Sequence, residues 1–234
     1  MPAPPRPTDG PPLGRPLFLL NLKSFPEALG VGADRLGRLL EDAGKEFQVS
    51  VAIAPSFPDL GRLAWSLSIP VLAQHVDPVD AGAHTGFVPV ESIRAVGGRG
   101  SLVNHSEHPV STAEVRDAVR RLTAAQLTAV VCARDVPAAR RLARVRPDYL
   151  AVEPPELIGG DRAVSTARPE VVSGTVDAVR SISPTTVTLC GAGVHDRRDV
   201  KRALELGAGG VLVASAVTRA ASPREAIFEL LAGF

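Results

Sequence analysis

Three polar stretches in this chain carry groups that can do chemistry. They are Asn21-Leu22-Lys23, Asn104-His105-Ser106-Glu107 and Glu153-Pro154-Pro155. Each follows a short apolar run, and two further runs lead into Gly191-Ala192-Gly193 and Ala214-Ser215. Glu153 offers a carboxylate base and His105 an imidazole that can polarise a carbonyl while neutral. Lys23 offers a fixed cation. The small residues of the last two turns let backbone N–H groups approach a phosphate. Alone, each stretch is commonplace: a lysine at a strand end, a capping histidine, a Glu-Pro step, a glycine turn. Their coincidence at the ends of successive apolar runs carries the information.

Such groups need a frame that brings distant strand ends together. Eight apolar, β-branched runs supply candidate strands at 17–20, 49–54, 71–73, 101–103, 128–132, 149–152, 186–190 and 210–213. Their spacing of about 20 to 40 residues suits βα units. Continuous apolar strands point to a parallel sheet buried on both faces. Helical periodicity appears at 32–43, 90–95, 112–122, 137–143, 199–206 and 223–231. Ser111 or Thr112 is placed to cap the third of these, with Glu114 in its first turn, and Gly207 stops the fifth. This alternation predicts an α/β fold, a single (β/α)8 barrel of eight parallel strands. The absence of a Gly-x-Gly-x-x-Gly turn after the first strand argues against an open doubly wound sheet. A barrel carries its chemistry at the C-terminal ends of its strands, where these polar groups fall.

The bulk properties agree. The chain has 234 residues, near the roughly 250 of a single barrel. Its 26 basic and 25 acidic side chains leave a net charge of +1, without the basic excess of a nucleic-acid binder. No apolar run reaches membrane-span length. Cys132 and Cys190 form no CxxC pair, so a disulfide framework or zinc site is not expected and a reducing, cytoplasmic compartment fits. His75, His84, His108 and His195 lack metal-ligand spacing, and no metal is expected. Arg140, Arg141, Arg144 and Arg146 read as a solvated helix face. Residues 1–16, rich in proline, read as a disordered tail ahead of a barrel domain at 17–234.

The stretch AQHVDPVDAGAHTGFVPVESIRAVGGRGSLVNHSEHPVS resembles the third and fourth βα units of triosephosphate isomerases. DYLAVEPPELIG resembles their sixth strand and lid, and LCGAGV and GVLVASAV resemble their two phosphate loops. The length and the EPPELIG lid are most similar to the short, archaeal-type form. The resemblance covers nearly everything after residue 16, and NHSE and EPPELIG are its most specific parts.

The resemblance implies interconversion of dihydroxyacetone phosphate and D-glyceraldehyde 3-phosphate through an enediolate, without a cofactor. It assigns Glu153 as base, His105 as electrophile, Lys23 and Asn21 as the pair after the first strand, and Glu107 as the carboxylate that pairs with the lysine. Backbone N–H groups of Gly159, Gly193, Ala214 and Ser215 are expected to hold the phosphate. A short helix from Ser106 is expected to disfavour a charged His105. A lid from about 154 to 161 is expected to exclude water and hold the enediol phosphate in plane. Thr85, in the loop AGAHTG, is expected to support the site of a neighbouring copy in a homodimer or homotetramer. The chain departs from the family at His108-Pro109, where basic residues are usual, and at Gly159-Gly160-Asp161-Arg162, where Gly-Thr-Gly usually completes the lid. The second departure motivates an alternative, the same isomerisation on another small sugar phosphate such as a tetrulose phosphate. A non-catalytic barrel that binds phosphate ligands is the other alternative.

Overall fold

The computed structural model of the chain describes residues 13–154, 157 and 163–234. Seven parallel strands form one sheet: β1 (Leu17–Asn21), β2 (Ser50–Ala54), β3 (Gly100–Val103), β4 (Thr128–Ala133), β5 (Tyr149–Val152), β6 (Val187–Cys190) and β7 (Gly210–Val213). Their order is β2-β1-β7-β6-β5-β4-β3. The expected strand at 71–73 is too short to extend a ladder, yet it bridges both edges, pairing Ile53 with Val71 and Ala73 with Ser101. Backbone bonds flank it on both sides. Leu72 N–H donates to Ile53 O at 2.8 Å, and Leu102 N–H donates to Ala73 O at 2.8 Å. This segment stands between β2 and β3 and makes the barrel nearly closed.

Side-chain alternation explains why the strands are apolar on both faces. Leu17, Leu19, Ala52, Leu72, Leu102, Val130, Leu189 and Leu212 fill the barrel interior. Phe18, Leu20, Ile53, Val71, Ala73, Val131 and Val211 point outward and meet the helices. Residue 72 faces in while 71 and 73 face out, so the short segment behaves as an eighth stave. Full burial of one such leucine contributes roughly 1.5–3 kcal/mol.

The outer layer comprises α1 (Val31–Phe47), α2 (Phe57–Ser66), α3 (Val90–Ala95), α4 (Thr112–Ala124), α5 (Val136–Leu142), α6 (Val164–Ala167), α7 (Pro169–Ile182), α8 (Arg197–Glu205), α9 (Ser215–Thr218) and α10 (Pro223–Leu231). Ser111 caps α4 through a reciprocal box with Glu114, and Asp196 caps α8 with Asp199 in the same way. That box starts α8 two residues before the expected position. α2 and α7 were not read from periodicity. α2 carries Pro58 and Gly61 within ten residues, and α7 is rich in valine, which looks strand-like.

Residues 13–15 are tied across the foot of the barrel. The Tyr149 hydroxyl donates to Leu13 O at 2.9 Å, and Gly14 N–H donates to Ser50 Oγ at 2.9 Å. The Arg15 guanidinium donates to Thr185 O at 2.8 Å. The rest of the expected tail, residues 1–12, lies outside the described residues. No helix among the described residues is long and apolar enough to cross a membrane.

Candidate active site

The strand ends bring Asn21, Lys23, His105, Glu153, Gly193, Ala214 and Ser215 onto the wall of one pocket. Asn21 closes β1, and its Oδ1 accepts from Lys23 N–H at 2.9 Å. Lys23 stands in the left-handed region, at φ 50°, where a lysine is costly. Gln74 supports that backbone. Its side-chain amide lies 2.9 Å from Lys23 O, 3.0 Å from Ala54 O and 3.3 Å from Asn21 Oδ1, and it donates to this cluster. The Lys23 ammonium reaches across the pocket to Glu107 Oε1 at 2.7 Å. Lys23 is largely buried while Glu107 is mostly exposed, so the cation is held inward by a carboxylate at the rim.

After β3 the chain makes a turn in place of the short helix expected from Ser106. His108 N–H donates to His105 O at 2.8 Å, and the next helix begins only at Thr112, because Pro109 interrupts the run. The tautomer of His105 is set by this turn. Glu107 N–H points at His105 Nδ1 at 3.2 Å, and a nitrogen that accepts a hydrogen bond carries no proton. The ring proton is therefore on Nε2, which lies 3.5 Å from Glu153 Oε1. A donor on the pocket side is what a developing oxyanion requires. His108 stacks flat on His75, with ring centroids 3.9 Å apart.

Glu153 follows β5 directly and is buried. Burial raises its pKa above the usual carboxylate value. His105, the neighbouring Cys132 thiol and Lys23 act in the opposite direction without cancelling it. A desolvated carboxylate of this kind is a stronger base than one in water. Cys132 is buried, and it lies beside the carboxylate. On the other side the pocket narrows to two turns. Gly193 adopts φ 65°, accessible to glycine without a Cβ penalty. Ser215 and Ala216 open α9, where backbone N–H groups have no intrahelical acceptor. These groups face the same pocket as Lys23 and can hold an anion there.

Sequence reasoning missed three participants. Gln74 acts on backbone oxygens, which no side-chain pattern announces. His195 had no metal-ligand spacing and was set aside, yet it lines the pocket. Gly191, read as part of a phosphate turn, makes room for Glu153. Gly159 and most of the lid at 154–161 lie outside the described residues. Among the described residues no cluster of three histidine, cysteine or carboxylate side chains is placed to hold a metal.

The sequence model described as triosephosphate isomerase matches residues 16–231. The triosephosphate isomerase of Methanothermus fervidus is 42% identical over 219 residues, covering 94% of this chain and 99% of that protein. That of Methanothermobacter thermautotrophicus is 43% identical over 216 residues, covering 92% and 94%. That of Methanocaldococcus jannaschii is 40% identical over 215 residues, covering 92% and 98%. The chain belongs to the triosephosphate isomerase family.

Proposed function

We propose that this chain interconverts dihydroxyacetone phosphate and D-glyceraldehyde 3-phosphate. The observation that carries the reading is the buried Glu153 carboxylate, 3.5 Å from the protonated face of His105 and in the same pocket as Lys23. A glutamate base beside a neutral histidine is the established pairing of triosephosphate isomerases.

The substrate phosphate sits against backbone N–H groups at Gly193, Ala214 and Ser215. The carbonyl then lies between His105 Nε2 and the Lys23 ammonium. Glu153 removes a proton from the carbon beside it. The negative charge that develops on oxygen is met by the Nε2 proton and by Lys23, and Asn21 keeps the lysine backbone in place. Glu153 returns the proton to the neighbouring carbon, the hydroxyl proton passes from one oxygen to the other by way of His105 Nε2, and the carbonyl has moved by one position. Every proton begins and ends on substrate or on these side chains, so the chemistry calls for no cofactor.

The active unit is a homo-oligomer. A groove of about 550 Å3 opens beside the site, between Lys23, Phe25, Phe57, Gln74, His75 and His108. The loop at 81–87 is exposed, Phe87 included. This loop of a second copy, Thr85 included, fills the groove and covers Lys23. Both cysteines are buried free thiols, in keeping with a reducing cytoplasm.

The test is turnover of glyceraldehyde 3-phosphate by the wild type and by Glu153→Gln. Rapid isomerisation lost in the variant, with phosphate binding retained, supports the reading. A folded wild-type protein that binds phosphate but leaves this substrate unchanged overturns it.

A further inference from the structure

His75 and His108 lie face to face at the edge of the groove beside the site, with ring planes 9° apart and centroids 3.9 Å apart. His75 is buried and comes just after the bridging segment at 71–73. His108 is exposed and closes the turn after β3. That turn carries His105 and Glu107. His108 N–H donates to His105 O at 2.8 Å, and Glu107 N–H points at His105 Nδ1 at 3.2 Å. The stack therefore ties the last residue of the turn to the neighbouring stave of the barrel.

The His75 end of the stack is held from behind. Its Nε2 lies 3.2 Å from Asp77 Oδ1, and an ionised carboxylate only accepts, so Nε2 carries a proton. Asp77 is itself pinned. Its other oxygen accepts from Val88 N–H at 2.7 Å, and its own N–H donates to Val88 O at 2.9 Å. His108 thus rests on a ring whose plane is fixed, and the turn at 105–108 takes its position from that ring.

The stack also limits charge. A neutral ring can lie on a charged one, whereas two imidazolium rings at this distance repel. Asp77 is placed to offset one charge at His75, and Glu114 at the start of α4 is a second negative neighbour of that ring. His105, Glu107 and Lys23 line the groove with His108, and there the lysine and the glutamate already offset each other. A second charge, on His108, faces the first across 3.9 Å.

We propose that His75 and His108 are a positioning pair for His105: their stack holds the turn so that the Nε2 proton faces the pocket, and it opens when both rings are charged. The kinetic consequence rests on the isomerase reading. The positioning of His105 does not.

The test compares His108→Ala, which removes the stack, with His108→Phe, which keeps a flat ring that takes no charge. At pH 8, His108→Ala is expected to lower kcat about tenfold, as a slightly displaced catalytic group does, with KM within about twofold of wild type. His108→Phe restores kcat. Nitrogen-15 spectra show His105 as one tautomer, protonated at Nε2, in wild type and His108→Phe, and as a mixture in His108→Ala. Between roughly pH 7 and 5, where histidines gain charge, wild-type kcat/KM falls about fivefold relative to His108→Phe. That ratio cancels Glu153 and the substrate phosphate, which both proteins share. Wild-type kcat with a single His105 tautomer in His108→Ala overturns the positioning role. So does a loss of kcat that light scattering shows to follow dissociation into single chains. A ratio that stays constant with pH overturns the opening by charge. If His108→Ala does not fold, the pH dependence of the ratio and of the His105 spectra in wild type and His108→Phe decides. If wild type turns over no triose phosphate, the isomerase reading fails, and the same spectra still decide whether the stack positions His105.

Discussion

Gly191 lies directly against Glu153. A Cβ built on Gly191 would come within 2.5 Å of Glu153 Cγ and 3.2 Å of its carboxylate carbon. The first residue after β6 thus sets where the base at the end of β5 can stand. Gly191→Ala is expected to push the carboxylate aside while leaving the barrel folded. Misplacing a catalytic group by about 1 Å costs roughly 100-fold, so kcat should fall by about that factor with little change in KM. Steady-state kinetics and a thermal melt check this. A variant with wild-type kcat would show that the base is not held by this contact.

Burial also makes Glu153 a pH-dependent liability. Its pKa is raised in the folded state, chiefly by desolvation, above an ordinary value of 4.5. The folded protein therefore binds more protons than the unfolded chain between those two values, and stability contributed by this group declines as pH rises through that window. The penalty is absent below the ordinary value and complete above the raised one. Glu153→Gln removes it. The variant should be more stable than wild type at pH 7 to 8 and equal to it in acid, roughly below pH 4. Urea melts across that range measure the difference, which also cancels the contributions of carboxylates elsewhere. A variant destabilised equally at all pH values would contradict the assignment. The same group predicts that wild-type kcat/KM falls on the acid side with a midpoint above 4.5.

Much of this arrangement was legible because the strands are marked by apolar runs whose next residues are polar. Even 71–73, which forms bridges alone, shows an apolar run because Leu72 fills the interior while Val71 and Ala73 face the helices. Asn21, Lys23, His105, Glu107 and Glu153 all follow such runs. Other features had no such marker. α7 reads as strand-like because its valines are chosen for packing against the barrel, which overrides local propensity. The turn at Ser106 reads as a helix start until Pro109 is weighed, and the donor to His105 is a backbone N–H that no residue type reveals. The clash that requires Gly191 depends on the approach of two strands that are neighbours only in the folded barrel.

Gln74 should matter more than its distance from the chemistry suggests. Lys23 pays for a left-handed backbone, and the Gln74 amide lies within 3.3 Å of three oxygens around it. Gln74→Met keeps the volume and removes the donor. Stability should drop by about 1–3 kcal/mol, the cost of leaving buried acceptors unpaired. KM should rise more than kcat falls, because a displaced ammonium weakens binding of the phosphorylated substrate in the ground state as well. Equal stability and unchanged KM in Gln74→Met would mean that Asn21 alone holds the lysine.

Glu107 performs two tasks through different atoms, and they can be separated. Its backbone N–H points at His105 Nδ1, while its carboxylate binds the Lys23 ammonium at 2.7 Å. Glu107→Gln leaves the backbone donor in place, so the tautomer of His105 should persist. The carboxylate is mostly exposed, and exposed pairs contribute little, so KM should rise by no more than roughly fivefold. Lys23→Met removes charge from the pocket itself and should lower kcat/KM by about 100-fold or more. Nitrogen-15 spectra of the imidazole report the tautomer in both variants. If Glu107→Gln proved as damaging as Lys23→Met while the histidine tautomer stayed the same, the carboxylate would have to act on substrate directly and not through the lysine.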